Sequence, residues 1–290
     1  MKTTIATRDD LAVHGGVAIN DREFALFRNL IYQQTGISLR DSKATMLSAR
    51  LSKRLRQLAL PSFESYYQLL QTQGPESDEY RLLINSVTTN KTSFFRESHH
   101  FEFLAAHLKQ RKTADPLRIW SAACSTGQEP YSIAITLAES FGSLSGRDIR
   151  ILASDIDTQV LNDASEGLYE AEELADLPVV YQSKYLQPEQ TKTDRKFRMD
   201  GALRKLITFR HKNLIAPAWG INIKFDYIFC RNVLIYFDHT TQDQILRRFI
   251  SFLKPHGHLM VGHSEHLHWL NALIEPVGHT IYRLKGSFVK

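Results

Sequence analysis

The sequence predicts an α/β domain on a parallel sheet, with a small inserted antiparallel β subdomain, preceded by an all-α domain. Three observations carry this. Residues 20–90 show helical apolar periodicity with no β-rich stretch between. From residue 117 to 290 short apolar strands alternate with amphipathic helices, the pattern of a parallel sheet with crossover helices. Between about residues 180 and 214 the alternation breaks into a polar stretch with strand-like runs around turns.

Residues 1–19 show no clear periodicity and are expected to form a mobile arm. DREFALFRNLIYQQTG then places Phe24, Phe27, Leu30 and Ile31 on one stripe, and Gly36 stops the helix. DSKATMLSARLSKRLRQL repeats the pattern with Leu47, Leu51, Leu55 and Leu58. At about 100° per residue, Lys43, Arg50 and Arg54 fall within roughly 40° of one another beside that stripe. SFESYYQLLQ and SDEYRLLINSV complete a helical domain over 20–90, and 91–116 read as a linker with a leading helix. In the domain over 117–290, LRIWSAA is a strand, Pro130 to Phe141 a helix, DIRILASDID a second strand and TQVLNDAS a helix. KFRMDG and KLITFRHKN belong to the inserted hairpin or subdomain. FDYIFCRNVLIYF holds a buried strand, TQDQILRRFISFL is an amphipathic helix, KPHG a turn, and HLMVGH a strand. HTIYRL, the last strand, follows a loop rather than a long helix, so it is expected to run antiparallel.

The chain has 290 residues, 43% of them hydrophobic, and a formal charge of +5. That charge admits nucleic acid or an acidic protein surface as a partner, so its placement matters more than its sum. Cys124 and Cys230 lie far apart, each beside an apolar run, which argues against a disulfide framework and for a reducing compartment. The N-terminus lacks a signal-peptide core, and no apolar run approaches the roughly 20 residues of a membrane span. A cytoplasmic monomer is therefore expected. His256, His258, His263, His266 and His268 cluster in sequence, but without a Cys pair or HExxH spacing no metal is expected there.

WSAACSTGQEPYSIAITLA, from Trp120 to Ala138, reads as strand, tight turn and helix. In open parallel sheets ligands bind at the carboxyl ends of strands. Ser125, Thr126 and Gly127 lie there, and the single glycine lets backbone approach a ligand. A pyrophosphate favours more glycines and a helix start without an acid. Glu129 instead suits a cationic amine or sulfonium, and Asp155 or Asp157, ending the next strand, suits ribose hydroxyls. The pair fits S-adenosylmethionine better than a dinucleotide, although Glu129 alone is also an ordinary first-turn acid. TTNKTSFFRESHHF, residues 88–101, offers Asn90, Thr92 and Arg96 as donors beside Phe94 and Phe95. CRNVLIYF places Arg231 and Asn232 at the end of a buried strand, with Tyr236 close behind.

The ordered blocks TTNKTSFFRE, WSAACSTGQEPYSIAI, ASDID, FDYIFCRNVLIYF and GHSE resemble the signature blocks of the chemotaxis receptor methyltransferases, the CheR family. The resemblance covers nearly the whole chain. It implies a Rossmann-like methyltransferase that uses S-adenosylmethionine, leaves S-adenosylhomocysteine, and methylates glutamates on the cytoplasmic helical region of chemoreceptors. Carried across by motif, Asn90, Thr92, Arg96, Glu129, Asp155, Asn213, Leu214, Arg231 and Asn232 contact the cofactor, and Arg96 and Tyr236 lie nearest the methyl group. Gln128 stands where an acid is common in the family, while Glu129 is kept. Lys43, Arg50 and Arg54 then make a recognition face for an acidic receptor helix, against the plainer reading of a solvated surface. A receptor C-terminal tail is a further candidate partner, at the β insertion. Two other classes stay open: a nucleic-acid methyltransferase, though the block after FDYIF lacks the Asn-Pro-Pro-Tyr type of motif, and a non-catalytic S-adenosylmethionine-binding module.

Overall fold

Residues 18–111, 115–190 and 195–286 are described by the computed structural model. They divide into two units, one ending at Thr89 and including Tyr236–Asp238, the other running from Asn90 to Ile235 and resuming at His239.

The first unit contains α1 (Asp21–Thr35), α2 (Ala44–Gln57), α3 (Phe63–Gln73) and α4 (Asp78–Val87). Each start has a local cause. Asn20 and Glu23 form a reciprocal capping box, and Ser62 and Ser77 accept from the backbone N–H of Ser65 and Tyr80, the third residues of α3 and α4. Gly36 closes α1 at φ 74°, in the left-handed region. Phe27, Leu47, Leu51, Phe63, Tyr66 and Leu70 are fully buried and form the centre of its core. Most of the expected arm, residues 1–17, lies outside the described residues. Its last positions depart from the expectation: Ile19 is buried, and its N–H donates to Ser48 Oγ at 3.2 Å.

The basic row of α2 is not the uniformly solvated face that helical spacing implies. Lys43 is exposed but sits in a 3-10 turn, Asp41–Lys43, ahead of the helix, so ideal α-helical angles do not apply to it. Arg50 Nη1 donates to the carbonyls of Val87 (3.0 Å) and Thr88 (2.8 Å), satisfying the end of α4. Arg54 pairs with the buried Glu79, which also accepts from Tyr66 Oη at 2.7 Å. Burial alone would raise the Glu79 carboxyl, but donors from Arg54 and Tyr66 hold it below its ordinary value. Tyr236 also belongs to this unit by its contacts. Its carbonyl accepts from Ser38 N at 2.8 Å, Phe237 bridges Ile37, and Asp238 Oδ2 accepts from Tyr32 Oη at 2.5 Å.

In the second unit α5 (His99–Gln110) precedes β1 (Leu117–Ala122), α6 (Gln128–Phe141), β2 (Ile149–Asp155) and α7 (Thr158–Glu166). Then come β3 (Leu168–Tyr169), α8 (Val179–Tyr185), β4 (Leu186–Gln190), β5 (Arg195–Met199), α9 (Gly201–Arg204) and β6 (Ile207–His211). β7 (Phe225–Cys230), α10 (His239–Phe252), β8 (Leu253–Val261), β9 (Ile274–Gly278) and β10 (Ile281–Leu284) complete it. The main sheet has the order β6-β2-β1-β7-β8-β10-β9. The first five strands pair in parallel, and β10 pairs antiparallel with both β8 and β9. The last strand is therefore antiparallel, as its short connection requires. β7 is buried along its whole length, as a central parallel strand covered on both faces must be.

Strand succession runs from β1 outward to β2 and β6, then returns to β7 on the other side of β1. The switch point thus lies where β1 and β7 end side by side, with Ala122 opposite Cys230. The inserted sheet is β3-β5-β4, antiparallel, and starts at Leu168 rather than near residue 180. KLITFRHKN is not part of it. Ile207–His211 pairs in parallel with β2, because Leu203, Leu206 and Ile207 are buried in the main core. KPHG is not a simple turn before a strand but an irregularity within β8, opposite Phe225 and Tyr227. No described helix is long and apolar enough to cross a membrane.

Replacing Arg54 by Ala leaves Glu79 in place without its guanidinium, and should lower stability by about 2–3 kcal/mol, the usual scale for a half-buried pair broken on one side. The measurement is a urea midpoint at pH 7. The loss should shrink as pH falls, because a carboxyl held low contributes above its unfolded value and stops contributing once protonated in the native state. An unchanged midpoint would make the pair a surface contact without energetic weight.

Candidate active site

Six non-glycine residues of the second unit have left-handed backbone: Phe95, Glu97, Ala123, Ser125, Asn232 and Thr280, with φ between 50° and 64°. Thr280 sits in the turn between β9 and β10; the other five lie in the strap 90–97 and the turns after β1 and β7. Such conformations are costly for side chains with a Cβ and persist where surrounding bonds over-determine them.

Those bonds start from buried charge. Arg231 follows β7, and its side chain is only 2% exposed. Its Nη1 donates to Glu129 Oε2 at 3.0 Å, and its Nη2 lies 3.2 Å from Glu97 Oε2 and donates to the Arg96 carbonyl. Glu129, in the first turn of α6, also accepts from Ser121 Oγ at 2.6 Å. Glu97 Oε1 accepts from Asn232 Nδ2 (3.1 Å) and from His263 N (3.2 Å). One guanidinium between two carboxylates fixes three separate chain segments. Burial pushes the Glu129 carboxyl up against the opposing pull of Arg231. Glu97 is also desolvated, yet Arg231 and the donors from Asn232 and His263 hold it below its ordinary value.

A third carboxylate, Glu265 of GHSE, accepts from the backbone N–H of Asn232 (3.0 Å), Leu234 (2.8 Å) and Gly262 (2.5 Å). Gly262 lies flush against this arrangement. A Cβ there would stand 2.7 Å from Asn232 N and 2.8 Å from Glu265 Oε2, so no other residue fits without displacing the turn.

At the end of β2, Asp155 is buried and accepts from Ser125 N (2.9 Å) and Asp157 N (3.0 Å). Burial raises its carboxyl despite those donors. Asp157 caps α7 and accepts from Asn90 Nδ2 at 2.7 Å, and Ser125 Oγ donates to the Asn90 carbonyl at 2.8 Å. Phe95 N donates to Ser132 Oγ at 2.9 Å, so the strap is tied at both ends. Lys212 N donates to the Asp155 carbonyl, which brings the following residues Asn213 and Leu214 to the same edge. Asn213 Oδ1 accepts from Ile215 N, and Leu214 is buried.

The structure therefore gathers Asn90, Glu129, Asp155, Asn213, Leu214, Arg231 and Asn232 at the carboxyl ends of β1, β2, β6 and β7 or on the strap beside them. Thr92 and Arg96 are half-buried on the same strap, and Arg96 Nη1 donates to the Lys91 carbonyl. Tyr236, Lys43, Arg50 and Arg54 belong to the other unit. One sequence expectation needs correction. Gly127 does not leave its space to a ligand: a Cβ there would meet Ala164 Cβ and Tyr169 Oη, both at 2.9 Å, so it serves close packing of protein on protein. Glu129 is partnered by Arg231, so its negative charge belongs to the Glu97–Arg231–Glu129 group as a whole.

Ser121, Glu97 and Glu265 are site residues that the sequence did not single out. Glu97 and Glu265 stand among polar neighbours, Arg96 and Ser98 for one and Ser264 and His266 for the other, so nothing local marks either as a buried acid. Of the clustered histidines, His256 pairs with Asp226, His258 stacks on Tyr227, and His266 stacks on His268 with ring centroids 5.6 Å apart. Among described residues, the group with metal-ligand spacing is instead Glu97, His99 and His100. Its carboxylate faces Arg231, a cation that opposes a second one. Both cysteines are free and buried, and burial pushes their thiols up, as for small hydrophobes.

A doubly wound sheet with acids, amides and strained turns at its switch point defines a nucleotide-cofactor enzyme of the Rossmann-like type. Two family models match: "CheR methyltransferase, all-alpha domain" over residues 22–88 and "CheR methyltransferase, SAM binding domain" over residues 90–283. The chain belongs to the CheR methyltransferase family and is an S-adenosylmethionine-dependent methyltransferase. It is 45% identical over 268 residues to the chemotaxis protein methyltransferase of Escherichia coli K12, covering 92% of each chain. It is 45% identical over 261 residues to chemotaxis protein methyltransferase 2 of Pseudomonas aeruginosa, covering 90% of this chain and 92% of the relative. It is 44% identical over 268 residues to the Salmonella typhimurium chemotaxis protein methyltransferase, covering 92% of each.

His100 gives this site a measurable pH signature. It is fully buried, and burial, with Arg231 and His99 adding to it, pushes its imidazole down to about 3. The unfolded chain binds this proton near pH 6.5 and the native chain does not. This group's contribution is therefore complete above about pH 6.5 and falls on acidification at about 1.4 kcal/mol per pH unit. His100→Asn should flatten the urea midpoint between pH 7 and pH 5 relative to the parent; parallel profiles would show that His100 does not titrate this way.

Proposed function

We propose that the chain transfers the methyl group of S-adenosylmethionine to glutamate side chains of chemoreceptors in the cytoplasm, giving glutamyl methyl esters. The observation that carries this is the convergence of the motif residues on the switch point of a chain that aligns over 90–92% of its length with chemotaxis protein methyltransferases. The site fits the cofactor chemically. Two carboxylates on one guanidinium leave a negative balance suited to the cationic amino-acid end. Asp155, fixed by two N–H donors, still has lone pairs for ribose hydroxyls. Asn90, Thr92, Asn213, Leu214 and Asn232 complete the binding set.

When bound, S-adenosylmethionine supplies an electrophilic methyl on a sulfonium. The acceptor glutamate, with a reference pKa of about 4.3, is already ionised at neutral pH and needs no general base. What remains for the protein is orientation and partial desolvation. Arg96 guides the acceptor carboxylate, and the Tyr236 hydroxyl orients it. Both contacts must stay loose enough not to quench the nucleophile. Tyr236→Phe should lower turnover more than S-adenosylhomocysteine affinity.

The decisive experiment uses methyl-labelled cofactor and receptor-containing membranes. Label should be released as methanol by mild base, since an ester hydrolyses and an N-methyl group does not. Base-stable label would replace this reading with an amine or nucleic-acid methyltransferase, and no transfer with intact binding would leave a cofactor-binding module. In calorimetry, Asp155→Asn should weaken S-adenosylhomocysteine by about tenfold, the scale of one lost charged hydrogen bond.

For the receptor surface, the exposed cations Lys43, Lys53 and Arg56 take the steering role, and Arg50 and Arg54 hold the helix that presents them. Lys43→Glu with Arg56→Glu should raise receptor KM, more so at low salt, and leave S-adenosylhomocysteine affinity unchanged. A receptor tail would add as a strand to the inserted sheet, whose outer strand β4 pairs, among the described residues, with β5 alone.

A further inference from the structure

We infer that Glu97 is a positioning residue of the methyl transfer, setting the place of Arg96 without itself meeting the reactants. This rests on the reading that Arg96 guides the acceptor carboxylate.

The strap turns through left-handed backbone at Phe95 and again at Glu97, so Arg96 sits between two strained positions. Four contacts hold that turn against relaxation. Arg231 Nη2 donates to the Arg96 carbonyl and, from the same nitrogen, faces Glu97 Oε2 at 3.2 Å. Glu97 Oε1 accepts from Asn232 Nδ2 and His263 N, which belong to the turn after β7 and the loop after β8. The carboxylate thus spans three irregular segments, none of which a helix or strand ladder would hold. Its charge keeps Arg231 in place from the strap side, as Glu129 does from the side of α6. Glu97→Gln separates charge from shape. The amide oxygen can still accept from Asn232 and His263, but its NH2 group then faces a guanidinium, donor against donor. The Arg96 carbonyl loses its fixed partner, and the strap is free to shift by a fraction of an ångström.

The test uses the full chain with receptor membranes at saturating S-adenosylmethionine, alongside S-adenosylhomocysteine calorimetry and thermal unfolding. Glu97→Gln should lower kcat by about tenfold to a hundredfold, the scale of a small misplacement at a reacting centre. Receptor KM and S-adenosylhomocysteine Kd should stay within about threefold of the parent. A folded Glu97→Gln protein with parental kcat overturns the inference, and a lower unfolding midpoint with parental kcat makes the residue merely structural. A loss of S-adenosylhomocysteine affinity matching the loss of kcat also overturns it, by making Glu97 a cofactor residue. If Glu97→Gln does not fold, Glu97→Asp keeps the charge and withdraws it by one methylene; reduced kcat with intact S-adenosylhomocysteine binding supports the inference, and parental kcat overturns it. Arg96→Ala is measured in parallel. Full turnover there removes the Arg96 reading and the inference with it, whereas impaired Arg96→Ala beside normal Glu97→Gln removes the inference alone.

Discussion

A guanidinium that is 2% exposed constrains everything around it. An unpaired buried cation is far too costly to persist, so Arg231 must be met by carboxylates and carbonyls wherever they can be brought from. They come from α6 (Glu129), from the strap (Glu97 and the Arg96 carbonyl), and the strap's Glu97 in turn reaches Asn232 and His263. The consequence is a set of turns with no secondary structure of their own that nevertheless hold one arrangement. Methyl transfer to a carboxylate asks for little else, because neither proton transfer nor a covalent enzyme intermediate is needed.

The sheet explains why that charge is there. Parallel strands end with carbonyls and side chains aimed at one edge, and the reversal of strand order at β1 and β7 opens a crevice at that edge. Ser121 and Trp120 remain part of the packed strand, with Trp120 Nε1 donating to Ser154 Oγ in the core at 2.9 Å. Four residues later the chain has turned through left-handed backbone at Ala123 and Ser125. Polar atoms crowd this edge because it is where the ladders stop.

The helical unit follows the same economy of charge. A leucine stripe on α2 specifies a core face, but the flanking cations go to whatever acceptors the neighbouring helix leaves unsatisfied. Arg50 meets the final carbonyls around α4, and Arg54 meets Glu79, which Tyr66 shares. Charge at helical spacing is therefore poor evidence of a binding surface until the partner helix is known.

By itself the sequence determined the periodicities, and with them the helical unit, the parallel strands and the final antiparallel strand, because burial of apolar side chains repeats at fixed intervals. It also showed which residues stand at strand ends or open the following helix, so Asp155, Arg231 and Asn232, and Glu129 at the start of α6, could be picked out with Asn90, Thr92 and Arg96. It did not reveal that Ile207–His211 leaves the insertion for the main sheet, since a short strand carries no label for its partner. Nor did it reveal that Gly127 makes room for Ala164 and Tyr169, or that Arg231 faces inward between Glu97 and Glu129. Those outcomes depend on which groups meet across long separations in sequence, and a buried charge is answered by whatever the fold brings within reach. Only the tertiary structure decided that.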